Sequence, residues 1–213
     1  LVALRSYLQT HDIDVLPIDA NTDAIHYTLK PSQARKFIEP ALPTLRQGLP
    51  PQMQAALLRR RAVTQDDTPG PLDEARAWTV LSELERIWTP EGFTLTRDNY
   101  AAEMSVLNDA LILTSLRMFP HCLTAWGYSP QGALRASGQE NPFLHYMLEK
   151  LIPDLIAAAP DAIGISMVHG EQLFYTLFLL NQLKQRDLGI PLIVGGAHFS
   201  QLCWQCGIPN GES

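Results

Sequence analysis

The chain of 213 residues is 46% apolar and 18% charged, which is typical of a globular protein. Its formal net charge of −6 argues against a nucleic-acid partner, because phosphate binding relies on clustered Lys and Arg. No apolar run reaches the ~18 residues that a membrane span needs, and the first residues do not form a signal peptide. We therefore expect a cytoplasmic protein with neither a membrane nor a nucleic-acid partner.

The chain opens with a predicted helix and a predicted strand. Leu1, Leu4 and Leu8 have helical spacing, which predicts an amphipathic helix over residues 1–10. No capping residue precedes this helix, so we expect the sequence to begin inside a longer chain. The run DVLPIDA, residues 14–20, predicts a short strand at an edge or a bend, because it contains Pro17.

A long helical segment follows. Between residue 22 and about residue 138, four stretches broken by proline carry apolar residues three and four positions apart. This pattern predicts four or five helices with no strand among them.

The last third of the chain predicts alternating helices and strands. Asn141 is the predicted N-cap of a helix that has Pro142 at its first position and that Pro153 should kink or divide. A strand, a helix and a second strand follow, over residues 162–168, 170–189 and 191–197. Gly189 is the predicted C-cap of that helix. Strands as apolar as these are typical of a parallel sheet covered on both faces.

These elements predict an α/β fold with a Rossmann-like or flavodoxin-like open parallel sheet. The helical segment, residues 22–138, is inserted between the second and third strands. Residues 1–21 and 139–213 form the α/β domain, whose first strand is expected to precede Leu1.

Ligands of open parallel sheets bind beyond the carboxyl ends of the strands. At these ends the candidate binding residues are Ser166, Met167, Val168, His169, Gly195, Gly196, Ala197 and His198. The glycine pair removes two side chains where a flat, bulky ligand would lie against the backbone. A tight turn explains the same glycines equally well, and the Ser166 hydroxyl is also explained by a bond to nearby backbone.

The run Ser166-x-Val168, followed after 26 residues by Gly195-Gly196, resembles the S-x-L and G-G elements of cobalamin-binding Rossmann domains. The order of elements is similar, over almost the whole chain, to the N-terminal part of cobalamin-dependent radical SAM enzymes related to peptide-modifying C-methyltransferases. The resemblance implies that Ser166 lies near the nucleotide tail of cobalamin and that the glycines let this tail lie close.

The same resemblance implies a radical SAM domain in the parent protein, with a [4Fe-4S] cluster and S-adenosylmethionine. This chain has no C-x-x-x-C-x-x-C run, so we do not expect it to be catalytic by itself. It also lacks the D-x-H-x-x-G motif that supplies a histidine to cobalt, which leaves the axial ligand open. Cys203 and Cys206, in CWQC, are open to a structural role or to a metal or redox role.

Two other functions stay open. A freestanding corrinoid carrier protein has the same fold, but it should have the histidine loop. A flavodoxin-like interaction module without a cofactor needs no glycine pair at the strand ends.

Overall fold

The computed structural model describes residues 2–62, 70–89, 96, 98–118, 122–124, 127–128 and 140–207. In this part of the chain the protein is mostly helical, with one parallel pair of strands and one short antiparallel pair. Its class is therefore mixed α/β.

The first helix, α1 (Val2–Gln9), confirms the helix predicted at the start of the chain. A turn ends it, in which Asp12 takes a left-handed conformation with φ 58° and the Ile13 N–H donates to the Leu8 carbonyl at 3.1 Å. The sharp reversal separates α1 from the extended segment that follows.

The strand predicted over residues 14–20 is wrong. Residues 13–19 belong to no helix or strand, and neither sheet of the described chain includes them. Pro17 has no N–H for a ladder, and Asp19 instead starts a helix. Its carboxylate accepts from the Thr22 N–H at 3.1 Å and from the Thr22 hydroxyl at 2.9 Å. These bonds hold the pKa of Asp19 below its usual value.

The segment after residue 22 is helical, as expected, but its described residues form six helices rather than four or five. The helices are α2 (Ala20–Thr28), α3 (Pro31–Ile38), α4 (Leu42–Gln47), α5 (Pro51–Ala62), α6 (Glu74–Ile87) and α7 (Tyr100–Thr114). Because α2 begins at Ala20, the predicted boundary after residue 21 falls inside this helix. The predicted division into domains is otherwise untested and stays a prediction.

The expectation of no strand in this segment is wrong. Two short strands, β1 (Cys122–Thr124) and β2 (Gly127–Tyr128), pair in an antiparallel hairpin after α7. The helical periodicity that dominates the segment gave no signal for so short a pair.

Apolar side chains of α3 to α7 form a first core. Eight of its members have no exposed surface: Ala34, Ile38, Ala77, Val80, Leu84, Ala110, Ile112 and Leu113. In α3 and α6 they recur three or four residues apart, so each of these helices turns one apolar face inward. In α7 Ala110 and Leu113 have the same spacing, and Ile112 is buried beside them.

Two ion pairs join α6 to α7 beside this core. The Arg76 Nε lies 2.7 Å from the Oδ2 of Asp109, whose side chain is fully buried. The Arg86 Nη2 lies 2.6 Å from the Oε1 of Glu103, whose side chain is 7% exposed. Buried carboxylates need such partners, because desolvating a lone charge costs several kcal/mol.

The helix predicted after residue 140 is confirmed, together with its division. The Asn141 Oδ1 accepts from the N–H groups of Phe143 and Leu144, at 2.9 and 3.2 Å, and caps α8 (Pro142–Tyr146). A π-helical turn, Met147–Leu151, leads into α9 (Ile152–Ala157), which carries Pro153 in its first turn. A proline cannot donate to the preceding turn, so the regular hydrogen bonding is interrupted there.

The predicted βαβ unit is confirmed. The strand β3 (Ile163–Ser166) leads through a short 3₁₀ turn into α10 (Leu173–Gln185), and β4 (Leu192–Gly195) precedes α11 (Ala197–Gln205). The two strands pair in parallel, as a helical crossover connection requires.

Gly189 is not the C-cap of the crossover helix. That position belongs to Arg186, and Asp187 takes the left-handed conformation after it, with φ 47°. The Asp187 N–H donates to the Lys184 carbonyl at 3.1 Å. Aspartate tolerates this conformation better than most residues, so the helix ends before the glycine.

A second core lies between α8, the π-helical turn, α10 and one face of the β3–β4 pair. Its members are Ala24, Phe143, Leu144, Tyr146, Met147, Leu151, Ile152, Ile163, Tyr175, Leu179 and Leu183. Ile165 and Leu192 pack against it from the sheet, whereas the other face of the sheet carries Gly164 and Ile193, both exposed. Ile193 is 61% exposed. The prediction that the sheet is covered on both faces is therefore wrong for the described residues.

Candidate functional site

The carboxyl ends of β3 and β4 lie side by side. Ser166 pairs with Gly195 in the parallel register, and both residues are the last of their strands. The candidate residues predicted from the sequence follow these two strands, and the fold brings the two strand ends together.

Backbone hydrogen bonds join the two segments that follow the strands. The Met167 N–H donates to the Gly195 carbonyl at 2.8 Å, and the His198 N–H donates to the Met167 carbonyl at 3.2 Å. Met167 is fully buried, so its side chain faces the interior and only its backbone lies at the edge. The first turn of α11 is thereby fixed against the end of β3.

Gly196 is required by the protein's own backbone. Its φ of +102° lies in the region that favours glycine. A Cβ on Gly196 would lie 2.4 Å from the Met167 carbonyl oxygen and 2.6 Å from the Met167 nitrogen. Neither atom is free to move, because both are hydrogen-bonded in the strand-end connection. The close approach at this glycine is therefore made by Met167, and any role in ligand binding stays a prediction.

Gly195 has the opposite surroundings. A Cβ built on Gly195 has no heavy atom of the described residues within 4 Å. The end of β4 is therefore open at this position. No contact within the described chain requires a glycine here. Of the two glycines, Gly195 is the one with room for something outside the fold.

The side chains around this edge are mostly exposed. Ser166 and His169 lie on the surface, and Val168 is 52% exposed. Ala197 is exposed, whereas His198 is half-buried. The His198 Nε2 lies only 3.0 Å from the place that a Cβ of Gly170 would occupy, so the ring rests on that glycine.

Gln172 organises the loop after β3, and the sequence analysis did not identify it. Its Oε1 accepts from the Val168 N–H at 2.7 Å and from the His169 N–H at 3.1 Å. The usual sequence sign of such a reciprocal cap is Ser, Thr, Asp or Asn followed three residues later by Glu or Gln. Because His169 occupies the first position, the sequence carries only the Gln172 half of this sign.

A shallow depression lies at the other end of the sheet. Its lining comes from the end of α10 and from the residues before and within β4: Leu183, Lys184, Asp187, Leu188, Gly189, Ile190 and Leu192. It contains none of the candidate site residues, and we assign it no role.

The CWQC pair lies on α11, away from the strand ends. Both cysteines are free; Cys203 is half-buried and Cys206 is exposed at the C-cap. Within the described part of the chain, no group of three or more His, Cys, Asp or Glu side chains has the arrangement of a metal site. The side chain of the third cysteine, Cys122, lies outside the described residues.

Comparisons with family models, curated proteins and solved structures gave no match for this chain. None of the helices in the described ranges is both long and apolar enough to cross a membrane.

Proposed function

We propose that this chain is a cobalamin-binding domain that holds and orients a corrinoid for the radical SAM domain of a larger parent protein. In this proposal β3 and β4 belong to a Rossmann-like sheet. The parent protein is a methyltransferase-type enzyme that also uses a [4Fe-4S] cluster and S-adenosylmethionine. The basis is the spacing of the Ser166-x-Val168 and Gly195-Gly196 elements, together with the placement of these elements in the fold.

The single observation that carries the proposal is the pairing of Ser166 with Gly195 at one sheet edge. Ligands of parallel sheets bind at such carboxyl ends. The position above Gly195 is open, so a planar group can approach the backbone there without meeting a side chain. This combination favours an extended, flat ligand over a small ion.

The residues around the edge have different roles in the proposed site. Gly195 gives the nucleotide tail access to the backbone, and the exposed Ser166 hydroxyl offers it one neutral hydrogen bond. Val168 supplies apolar contact beside them, while His169 and Ala197 line the rim. His198 and Met167 hold the two segments together through their backbone.

Cobalamin supplies alkyl and methyl transfer chemistry when it is bound, and the protein supplies orientation and shielding. The rigid connection between Met167 and the start of α11 keeps the edge in one geometry. Preorganisation of this kind lowers the entropy that the protein loses on binding.

The proposal is tested by incubating the purified protein with hydroxocobalamin and separating it by gel filtration. We expect the corrinoid absorption bands to elute with the protein in a one-to-one ratio. Elution of all the cobalamin at small-molecule volume would leave an interaction module without cofactor as the better account.

The Ser166→Ala variant should bind cobalamin about fivefold more weakly, because one neutral hydrogen bond contributes about 1 kcal/mol. The measurement is a titration followed by corrinoid absorption, with thermal unfolding of the variant as a check on its fold. An unchanged dissociation constant would make Ser166 a structural residue only.

A further inference from the structure

Cys203 lies in the last turn of α11, and Cys206 is the C-cap, whose N–H still donates to the Leu202 carbonyl at 2.9 Å as in a helix. Cys203 and Cys206 are three residues apart, and residues at this spacing have Cβ atoms about 5–6 Å from one another. Both side chains can therefore reach a single ion between them. The proposed cobalamin site makes no use of either thiol.

The position of the pair leaves it accessible. No residue of α11 is fully buried, Cys203 is half-buried, and Cys206 is exposed. Directly after Cys206 the chain turns away at Gly207, whose φ is +66°. The last turn of the helix thus presents one sheltered thiol and one open thiol side by side.

We propose that Cys203 and Cys206 together bind one Cu(I) ion. Each thiol loses a proton as its sulfur bonds to the metal, so one ion and two thiols give a dithiolate complex and two protons. Thiolates are soft ligands that select Cu(I), zinc or iron–sulfur clusters.

The number of ligands decides among these metals. Structural zinc takes four ligands, and so do iron–sulfur clusters. A monovalent d¹⁰ ion such as Cu(I) is satisfied by two thiolate ligands. Among the residues that the structure describes, no third His, Cys, Asp or Glu joins the pair.

This inference is independent of the proposed cobalamin site. Ala197 begins α11 and Cys206 follows nine residues later, about 13 Å along the helix axis at 1.5 Å per residue. A protein that fails to bind cobalamin can still bind Cu(I), and the reverse also holds.

The test uses the reduced full chain under anaerobic conditions, titrated against the coloured bicinchoninate complex of Cu(I). We expect the protein to withdraw one equivalent of copper per chain. The Cys203→Ser and Cys206→Ser variants should each lose at least tenfold in competing strength. Circular dichroism checks that both variants fold. Cys122→Ser is the matched control, and it should compete for copper as strongly as the unmodified protein does.

Three results would overturn the inference. The first is no withdrawal of copper by the unmodified protein. The second is an equal loss in Cys122→Ser, which would make the site more than a helical pair. The third is uptake of half an equivalent per chain with formation of a dimer, which would indicate a four-thiolate site shared by two copies.

Discussion

The helical region, residues 20–118, and the βαβ unit, residues 163–205, differ in how completely they cover their apolar surface. Residues such as Val80, Leu84 and Ile112 have no exposed surface, and ion pairs tie α6 to α7 beside them. In the βαβ unit only one sheet face packs against a core, and Ile193 and Trp204 are 61% and 77% exposed. Exposed apolar surface of this kind often marks an interaction site. Among the described residues the helical region also exposes Trp78 and Tyr100, by 44% and 54%, so the uncovered sheet face, rather than exposure alone, distinguishes the βαβ unit as a place where a ligand can bind.

The largest effect is expected at Gly196. The Gly196→Val variant should lose about 3 kcal/mol or more in free energy of unfolding, because its Cβ would overlap the Met167 backbone at a left-handed φ. Urea denaturation followed by circular dichroism measures the loss. If the variant is as stable as the unmodified protein, Gly196 does not lie against the Met167 backbone as described. The account of how the ends of β3 and β4 meet in the βαβ unit would then be wrong.

Removing one partner of a buried ion pair tests the helical region through the same quantity, the free energy of unfolding. The Arg76→Met variant removes the charge partner of the fully buried Asp109 and should cost about 3 kcal/mol, toward the lower end of the range for broken buried pairs because Arg76 is partly exposed. The Arg46→Met variant is the control. It removes a solvent-screened surface pair with Glu74 and should cost much less than Arg76→Met does. Equal losses in the two variants would contradict the burial assigned to Asp109.

A smaller, pH-dependent effect is expected where α8 packs against the helical region. His145 lies on α8 with its ring centroid 5.4 Å from that of Phe37 and 6.0 Å from that of Tyr27, and its buried Nε2 has no hydrogen-bond partner among the described residues. Burial lowers the pKa of His145, Lys36 lowers it further, and Glu149 opposes the shift. The unfolded chain therefore binds this proton more readily than the folded one.

The stability that neutral His145 supports should be complete above the unfolded pKa of about 6.5 and should decline as the pH falls below it. Unfolding free energies measured between pH 7.5 and pH 5 check this, with His145→Gln as the comparison. The difference between the two curves should shrink as the medium becomes acidic. A constant difference would show that His145 titrates alike in both states.

The features predictable from the sequence were those that depend on neighbouring residues. Asn141 and Pro142 predict the start of α8. The apolar runs around Ile165 and Val194 predict two parallel strands. A short crossover helix leaves few other ways to connect them. The placement of Ser166 beside Gly195 followed from that local pattern.

The features that were missed depend on contacts between distant parts of the chain or on competing local bonds. Asp19 starts a helix where the run DVLPIDA predicted a strand. Asp187 ends α10 before Gly189 can. The need for glycine at position 196 comes from Met167, 29 positions earlier, and no spacing rule contains that contact.

The proposed binding of cobalamin at the open edge above Gly195 is tested most directly by one matched pair of variants. Gly195→Val and Gly164→Val each add the same side chain to the exposed sheet face, where neither new Cβ has a neighbour within 4 Å. Valine suits an exposed strand position, so both variants should fold. In a cobalamin titration, we expect Gly195→Val to weaken binding at least tenfold and Gly164→Val to leave it unchanged. If Gly195→Val binds cobalamin as tightly as the unmodified protein, or if both variants lose affinity equally, the result would contradict a binding site at this strand end.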